Sequence, residues 1–170
     1  MVDGATVLDI ADVRAGTAPL PDTGRVVLLD PIGGPIAVAL AEELGDRAVL
    51  VTQDNIAGNE LSRTGDLAPA NVRLQQRGVD IERRTIVRAV RRAPRNGSVA
   101  DDAALAVEVE VEVEDRFSGD RRVIAAAAVV DCGFRLPDTP LPGVTRRAGD
   151  CVAPRTIHEA VLEGRRAAVA

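Results

Sequence analysis

Two adjacent glycines, Gly33 and Gly34, follow an apolar run and precede a helical pattern in RVVLLDPIGGPIAVALAEELG, Arg25 to Gly45. Such a turn can cradle a pyrophosphate. Glycine lets backbone come close, and a helix N-terminus offers unpaired N–H groups with a partial positive charge. Read as G-x-G-x-x-G/A, the register gives Ile32, Gly34 and Ala37, so isoleucine stands at the first glycine position. Asp30 and Pro31 lie in the same turn. A carboxylate beside a diphosphate is repulsive unless a cation or water intervenes. Asp30 reads either as a ribose or cation contact or as a turn-forming aspartate.

Other residues invite chemistry and have plainer readings. His158 is the only histidine, and it reads as a helix-surface residue rather than a general base. Cys132 and Cys151 are isolated and form no CxxC, zinc or iron–sulfur pattern. Cys151 reads as a small buried hydrophobe, with a redox role as the other possibility. Glu108, Glu110, Glu112 and Glu114 alternate with valines. That row reads as the solvated face of a meander rather than a metal or acid–base site. Arg83, Arg84, Arg88, Arg91, Arg92 and Arg95 read as its cross-strand partners. No Ser/His/Asp arrangement can be assembled, and with no lysine in the chain there is no Walker loop.

The elements that would position these residues follow from periodicity. Val26 to Leu29 reads as a buried strand, and the next helix carries Ile36, Ala39, Leu40 and Leu44 on its apolar face. Gly45 stops that helix. Ala48 to Thr52 is a second strand. A true NAD site ends this strand on an acidic residue, but here Thr52 or Gln53 holds that place, with Asp54 slightly beyond. Residues 53–65 read as a loop with one helical turn. Asp66 would cap a helix over Ala68 to Arg77, ended by Gly78. Val79 to Glu82 is a short strand. Thr85 to Ala93, Leu105 to Glu114 and Arg121 to Ala126 form an antiparallel meander, with a turn at Pro94 to Asp101. Ala127 to Val130 is another buried strand, and residues 134–144 are a proline-rich connection. A final helix runs from Pro154 to about Ala168, with Ile157, Val161, Gly164 and Ala168 on one face. Gly164 there predicts close packing against another backbone.

Composition narrows the function classes. At 170 residues the chain is about one domain, and 46% hydrophobic content is enough for a core. Aromatics are only 1%, so Val, Leu, Ile and Ala must build that core. A net charge of −5 without stacking aromatics argues against nucleic-acid binding. No run is long enough to span a membrane, and no signal peptide opens the chain. A cytoplasmic location is expected.

The order of elements resembles the C-terminal part of a two-dinucleotide-binding flavoprotein. More narrowly, the chain resembles NADH:flavin oxidoreductases of the old yellow enzyme, dienoyl-CoA reductase and trimethylamine dehydrogenase type. The residues carrying this are DPIGGPIAVALAEEL, VTQDNIAG, LQQRGVDI, VVDCGFRLPD and above all RAGDCVAPRTIHEAVLEGRRAA. The last is similar to that family's GD-x-x-x-P-x-x-I-x-x-A-x-x-x-G segment. The resemblance implies an α/β fold: a Rossmann-like parallel sheet, an antiparallel meander crossover, and a C-terminal helix from an incomplete FAD-type domain. It implies three parts: an incoming segment from the outer FAD-type domain (residues 1–22), an NAD(P)-type domain (residues 23–133) and a returning FAD/ADP-type segment (residues 134–170).

The resemblance also implies roles. Gly33, Gly34 and Ala37 would meet the pyrophosphate of NAD(P)H. Asp150 would accept from a ribitol or ribose hydroxyl of FAD or ADP, with Gly149 letting the backbone approach. The helix N-terminus at Arg155, Thr156 and Ile157 would point N–H groups at the flavin edge or a phosphate. Cys132-Gly133 stands where the family has threonine- or leucine-glycine before an arginine-proline pair, here stretched to Arg135-Leu136-Pro137. The implied function is a nucleotide-binding component of a flavin-dependent oxidoreductase, inactive alone. Its partner would be an FMN/iron–sulfur barrel, or the other half of the FAD domain, in another chain or a missing domain. The alternative is a degenerate Rossmann-like assembly module that binds no nucleotide. A Rossmann methyltransferase fits the meander and the terminal Gly-Asp helix poorly.

Overall fold

Short apolar runs that alternate with helical patterns build a parallel sheet covered on both faces. The structure is a computed structural model that describes residues 2–3, 7–93, 108–133, 142–153 and 157–169. It divides into two units, Met1–Gly133 and Phe134–Ala170.

In the first unit the elements are β1 (Val2–Asp3), β2 (Val7–Asp9), α1 (Ile10–Ala15), β3 (Val26–Asp30) and α2 (Pro35–Leu44). Next come β4 (Ala48–Thr52), a 3₁₀ segment (Asn59–Thr64), α3 (Leu67–Gln76) and β5 (Asp80–Glu82). The meander strands β6 (Thr85–Arg92), β7 (Val109–Asp115) and β8 (Arg121–Ala126) precede β9 (Ala128–Asp131). The main sheet has five strands in the order β2-β9-β3-β4-β5, all parallel. The meander pairs antiparallel as β6-β7-β8, and β1 adds a parallel pair to β6.

Strand alternation sends side chains to two cores. Val26, Leu28, Leu50 and Val130 face the helices with Ala37, Leu40 and Leu74. Val27, Val49, Val51 and Val129 face the meander residues Val90, Val111, Val113 and Ile124. The main sheet is therefore the middle layer between helices and meander. Each fully buried Leu or Val contributes roughly 1.5–3 kcal/mol, and the core needs no aromatic side chain.

Glu110, Glu112 and Glu114 are half-buried, and Glu108 is exposed. Glu112 and Glu114 bind Arg91, Arg88 and Arg121 across the sheet. These arginines hold both carboxyls below the usual range. Arg95 and residues 105–107 lie outside the described residues.

Three local expectations are corrected. The buried face of α2 is Ala37, Val38, Leu40 and Ala41, whereas Ile36 is 44% exposed and Ala39 is exposed. Small side chains, rather than the larger Ile36, let this helix approach the sheet. Asp66 stands at the N-cap of α3 and its carbonyl accepts from Ala70 N–H at 2.9 Å, but its side chain makes no cap hydrogen bond. Its carboxylate instead meets Arg73 at 3.0 Å, and Arg73 also reaches Glu42 on α2 at 3.0 Å. That arginine ties the two helices and holds Asp66 below its ordinary pKa. In the second unit, α4 (Ile157–Val169) follows a 3₁₀ turn at Gly149–Cys151. A Cβ added at Gly164 would meet nothing within 4 Å, so close backbone packing does not explain that glycine.

Candidate functional site

In open α/β sheets, ligands bind outside the carboxyl ends of the strands, where strand order reverses. Here the chain steps from β3 to β4 to β5 on one side, then returns through the meander to β9 on the other side of β3. The reversal lies between β3 and β9. Of the five parallel strands, β2, β9, β3 and β5 end on Asp9, Asp131, Asp30 and Glu82. The sequence reading weighed Asp30 but missed the other three strand-end carboxylates. The last residue of each strand was the available signal. Glu82 is paired with Arg122, Asp9 caps α1 through Ala11 N–H, and Asp131 accepts from Gly133 N–H at 2.8 Å.

Asp30 is the unusual member. It is only 3% exposed. Its Oδ1 accepts from the Gly33 N–H at 2.9 Å, while Oδ2 has no hydrogen-bond partner among the described residues. Burial pushes the Asp30 carboxyl up to about 6. The N–H groups of Gly33, Ile32 and Gly34 pull it down, and the nearby charge of Asp54 pushes it up further.

Gly33, Gly34 and Ala37 come together at the start of α2, and all three are buried. Gly33 has φ +71, and a Cβ there would stand 2.8 Å from Asp54 Oδ2 and 3.2 Å from Asn59 N. The Gly33 carbonyl also accepts from Glu60 N–H at 2.8 Å. Glycine at 33 thus admits the segment after β4. That segment is tied down elsewhere too. The Asp54 carbonyl accepts from Arg84 N–H at 2.9 Å, and the Gln53 carbonyl from Arg116 Nη1 at 2.8 Å. The Arg84 guanidinium lies 5.6 Å from the Phe117 ring centroid. Gly34 is the N-cap of α2 at φ −100, and Pro35, the first helical residue, has no N–H to offer.

These residues do not fit a dinucleotide diphosphate. The amides that would receive it face the chain's own Asp30 carboxylate, and a second carboxylate, Asp54, flanks Gly33. Like charges about 4 Å apart repel by about 4 kcal/mol at a partly screened site.

In the second unit, Gly149 has φ +73, and a Cβ there would lie 3.4 Å from the Ala160 Cβ. Its N–H donates to Glu163 Oε2 at 2.8 Å, which ties the turn to α4. Asp150 is exposed, so its carboxylate can accept from a hydroxyl of a bound nucleotide. Thr156 lies outside the described residues, and Ile157 opens α4 at 84% exposure. His158 is exposed. Cys151 is exposed rather than buried, and its thiol donates to the Ala148 carbonyl at 3.0 Å, since the 3₁₀ turn leaves it at the surface.

A cavity of about 410 Å³ opens beside β2 and β6, lined by residues including Leu8, Asp9, Leu29, Val87, Arg88 and Asp131. Among the described residues, no cluster of three or more His, Cys, Asp or Glu side chains is placed to hold a metal ion. No helix among them is long and apolar enough to cross a membrane.

In the first unit, the parallel sheet with a glycine turn into α2 and an antiparallel meander is a Rossmann-type arrangement. No protein-family model matches the chain, and no curated protein matches it. Among solved structures, the chain is similar to histamine dehydrogenase from Rhizobium sp. 4-9, with 24% identity and a TM-score of 0.75 over 97% of this chain and 26% of that one. It is similar to 6-hydroxypseudooxynicotine amine oxidase from Pseudomonas geniculata N1, at 22% identity and a TM-score of 0.72 over 95% of this chain and 24% of that one. It is also similar to 2-naphthoyl-CoA reductase, at 18% identity and a TM-score of 0.67 over 96% of this chain and 23% of that one. The fold is shared over nearly the whole chain, which spans about a quarter of the length of these enzymes.

Proposed function

We propose that this chain is the nucleotide-binding component, or a fragment, of a flavin-dependent oxidoreductase, completed by domains it does not contain. The observation carrying the reading is the match of 95% or more of this chain to about a quarter of each of three redox enzymes. Its three parts would be the incoming segment 1–22, the NAD(P)-type domain 23–133 and the returning segment 134–170. Exposed apolar residues on α4, Ile157, Val161 and Val169, support a further protein surface around that helix. The missing surface would be an FMN/iron–sulfur barrel or the other half of the FAD domain.

In this reading FAD or ADP sits at Gly149, Asp150, Thr156 and Ile157. Asp150 holds a hydroxyl, and the start of the helix faces a phosphate or the flavin edge. A bound flavin would supply the hydride chemistry, while this chain orients the nucleotide. The location would be cytoplasmic. For NAD(P)H at Gly33, Gly34 and Ala37, a second reading has support: the Rossmann-like unit keeps its fold and works as an assembly module. The carboxylate of Asp30 in the turn favours it.

Isothermal titration of ADP, FAD, NADH and NADPH into the chain, with and without the missing domains, tests the proposal. The expected result is weak ADP binding by the chain alone, lost in Asp150→Ala, and full FAD binding only with the missing half. No binding of any of the four under either condition would defeat it.

A further inference from the structure

The amides at the start of α2 are arranged around an anion, and the buried side chain aimed among them belongs to the chain itself. Asp30 is 3% exposed, its Oδ1 accepts from Gly33 N–H at 2.9 Å, and its Oδ2 has no partner among the described residues. We propose that the Asp30 carboxylate is the resident anion of this cradle and excludes an incoming diphosphate from the N-terminus of α2. This goes beyond the nucleotide reading above, since it concerns the NAD(P)-type half and uses neither Gly149 nor Asp150.

Three physical features carry the proposal. The Gly33 amide that a phosphate oxygen would take is already bonded to a carboxylate oxygen. Asp54, whose Oδ2 would lie 2.8 Å from a Cβ at Gly33, adds a second negative charge on the same side. The segment carrying Asp54 is anchored at both ends, by Glu60 N–H to the Gly33 carbonyl and by Arg84 N–H to the Asp54 carbonyl. The orphaned Oδ2 shows that the carboxylate is not fully satisfied as a turn cap. Removing its charge or its volume should leave a cradle of free amides for a phosphate.

The test uses the full chain and inorganic pyrophosphate, read at the Gly33 and Gly34 amides by proton–nitrogen correlation spectra. Asp30→Asn keeps the side-chain volume and removes the charge, and Asp30→Ala empties the position. Expected is a pyrophosphate-dependent shift of these amides in both variants, with affinity at least about tenfold above that of the wild-type chain. Equal shifts in wild type and variants, or no shift in either variant, would overturn the proposal. A measurement on the wild type stands apart from the variants' folding. The Gly33 amide shift should follow the ionisation of the Asp30 carboxyl carbon, with Asp54 as the other carboxylate facing it. A Gly33 amide indifferent to that ionisation would also overturn the proposal. Nucleotide binding at Asp150 is read at other amides and through Asp150→Ala, so the two proposals fail separately.

Discussion

Asp30 couples stability to pH. Its folded pKa of about 6 lies above the ordinary carboxyl value of 3.8, because burial disfavours the charged form. Between these values the folded state holds a proton that the unfolded chain has lost. Stability is therefore lower above about pH 6 and rises as pH falls toward 3.8. From about pH 7 to about pH 5 the gain is about 1 kcal/mol, and Asp30→Asn should abolish this rise in urea unfolding. An unchanged slope in the variant would show that the titrating group is another one. Asp66, Glu112, Glu114 and Asp115 are held below their ordinary values, so their stabilising contributions fade at lower pH than this window. Gly33 is equally specific. Gly33→Ala must hold φ +71 and place its Cβ 2.8 Å from Asp54 Oδ2. The variant should lose about 1–3 kcal/mol, seen as a lower melting temperature. A melting temperature at the wild-type value would mean that the segment after β4 yields freely.

At the level of elements, the main sheet was readable because its strands are short, apolar and β-branched. Ala48–Thr52 forms β4 with the expected bounds, and all five of its residues are buried. The meander followed from strict alternation at Val109, Val111 and Val113. The face of α2 was misread because Ile36, Ala39, Leu40 and Leu44 and the true set Ala37, Val38, Leu40 and Ala41 both repeat at helical spacing. Periodicity cannot choose between two such stripes, and the closeness of helix to sheet did. The state of Asp30 was not legible either, since its burial depends on residues 54–60 folding back over the turn. The layered core makes a sharp contrast testable by denaturation. Leu50→Ala, at a position 0% exposed in the middle layer, should cost about 2–5 kcal/mol. Val123→Ala, at a position 56% exposed on β8, should cost no more than about 0.5 kcal/mol. Similar costs for the two would contradict the layer order.

For the whole molecule, the shared fold and the short span point the same way. The chain shares its fold with about a quarter of each of three redox enzymes about four times its length. Its two units carry unlike glycine turns. One turn at the carboxyl edge of the sheet is filled by its own carboxylate, and the other presents Asp150 free at the surface. The Gly149-Asp150 pair was picked out by likeness to a family segment, and the fold gives it a glycine at φ +73 and an exposed aspartate. The measurement that bears most directly on the account is calorimetric titration of ADP into the wild-type chain and into Asp150→Ala. The account predicts saturable single-site binding to the wild type that disappears in the variant. Binding unaffected by the substitution, or no ADP or FAD binding even when the missing domains are supplied, would contradict it.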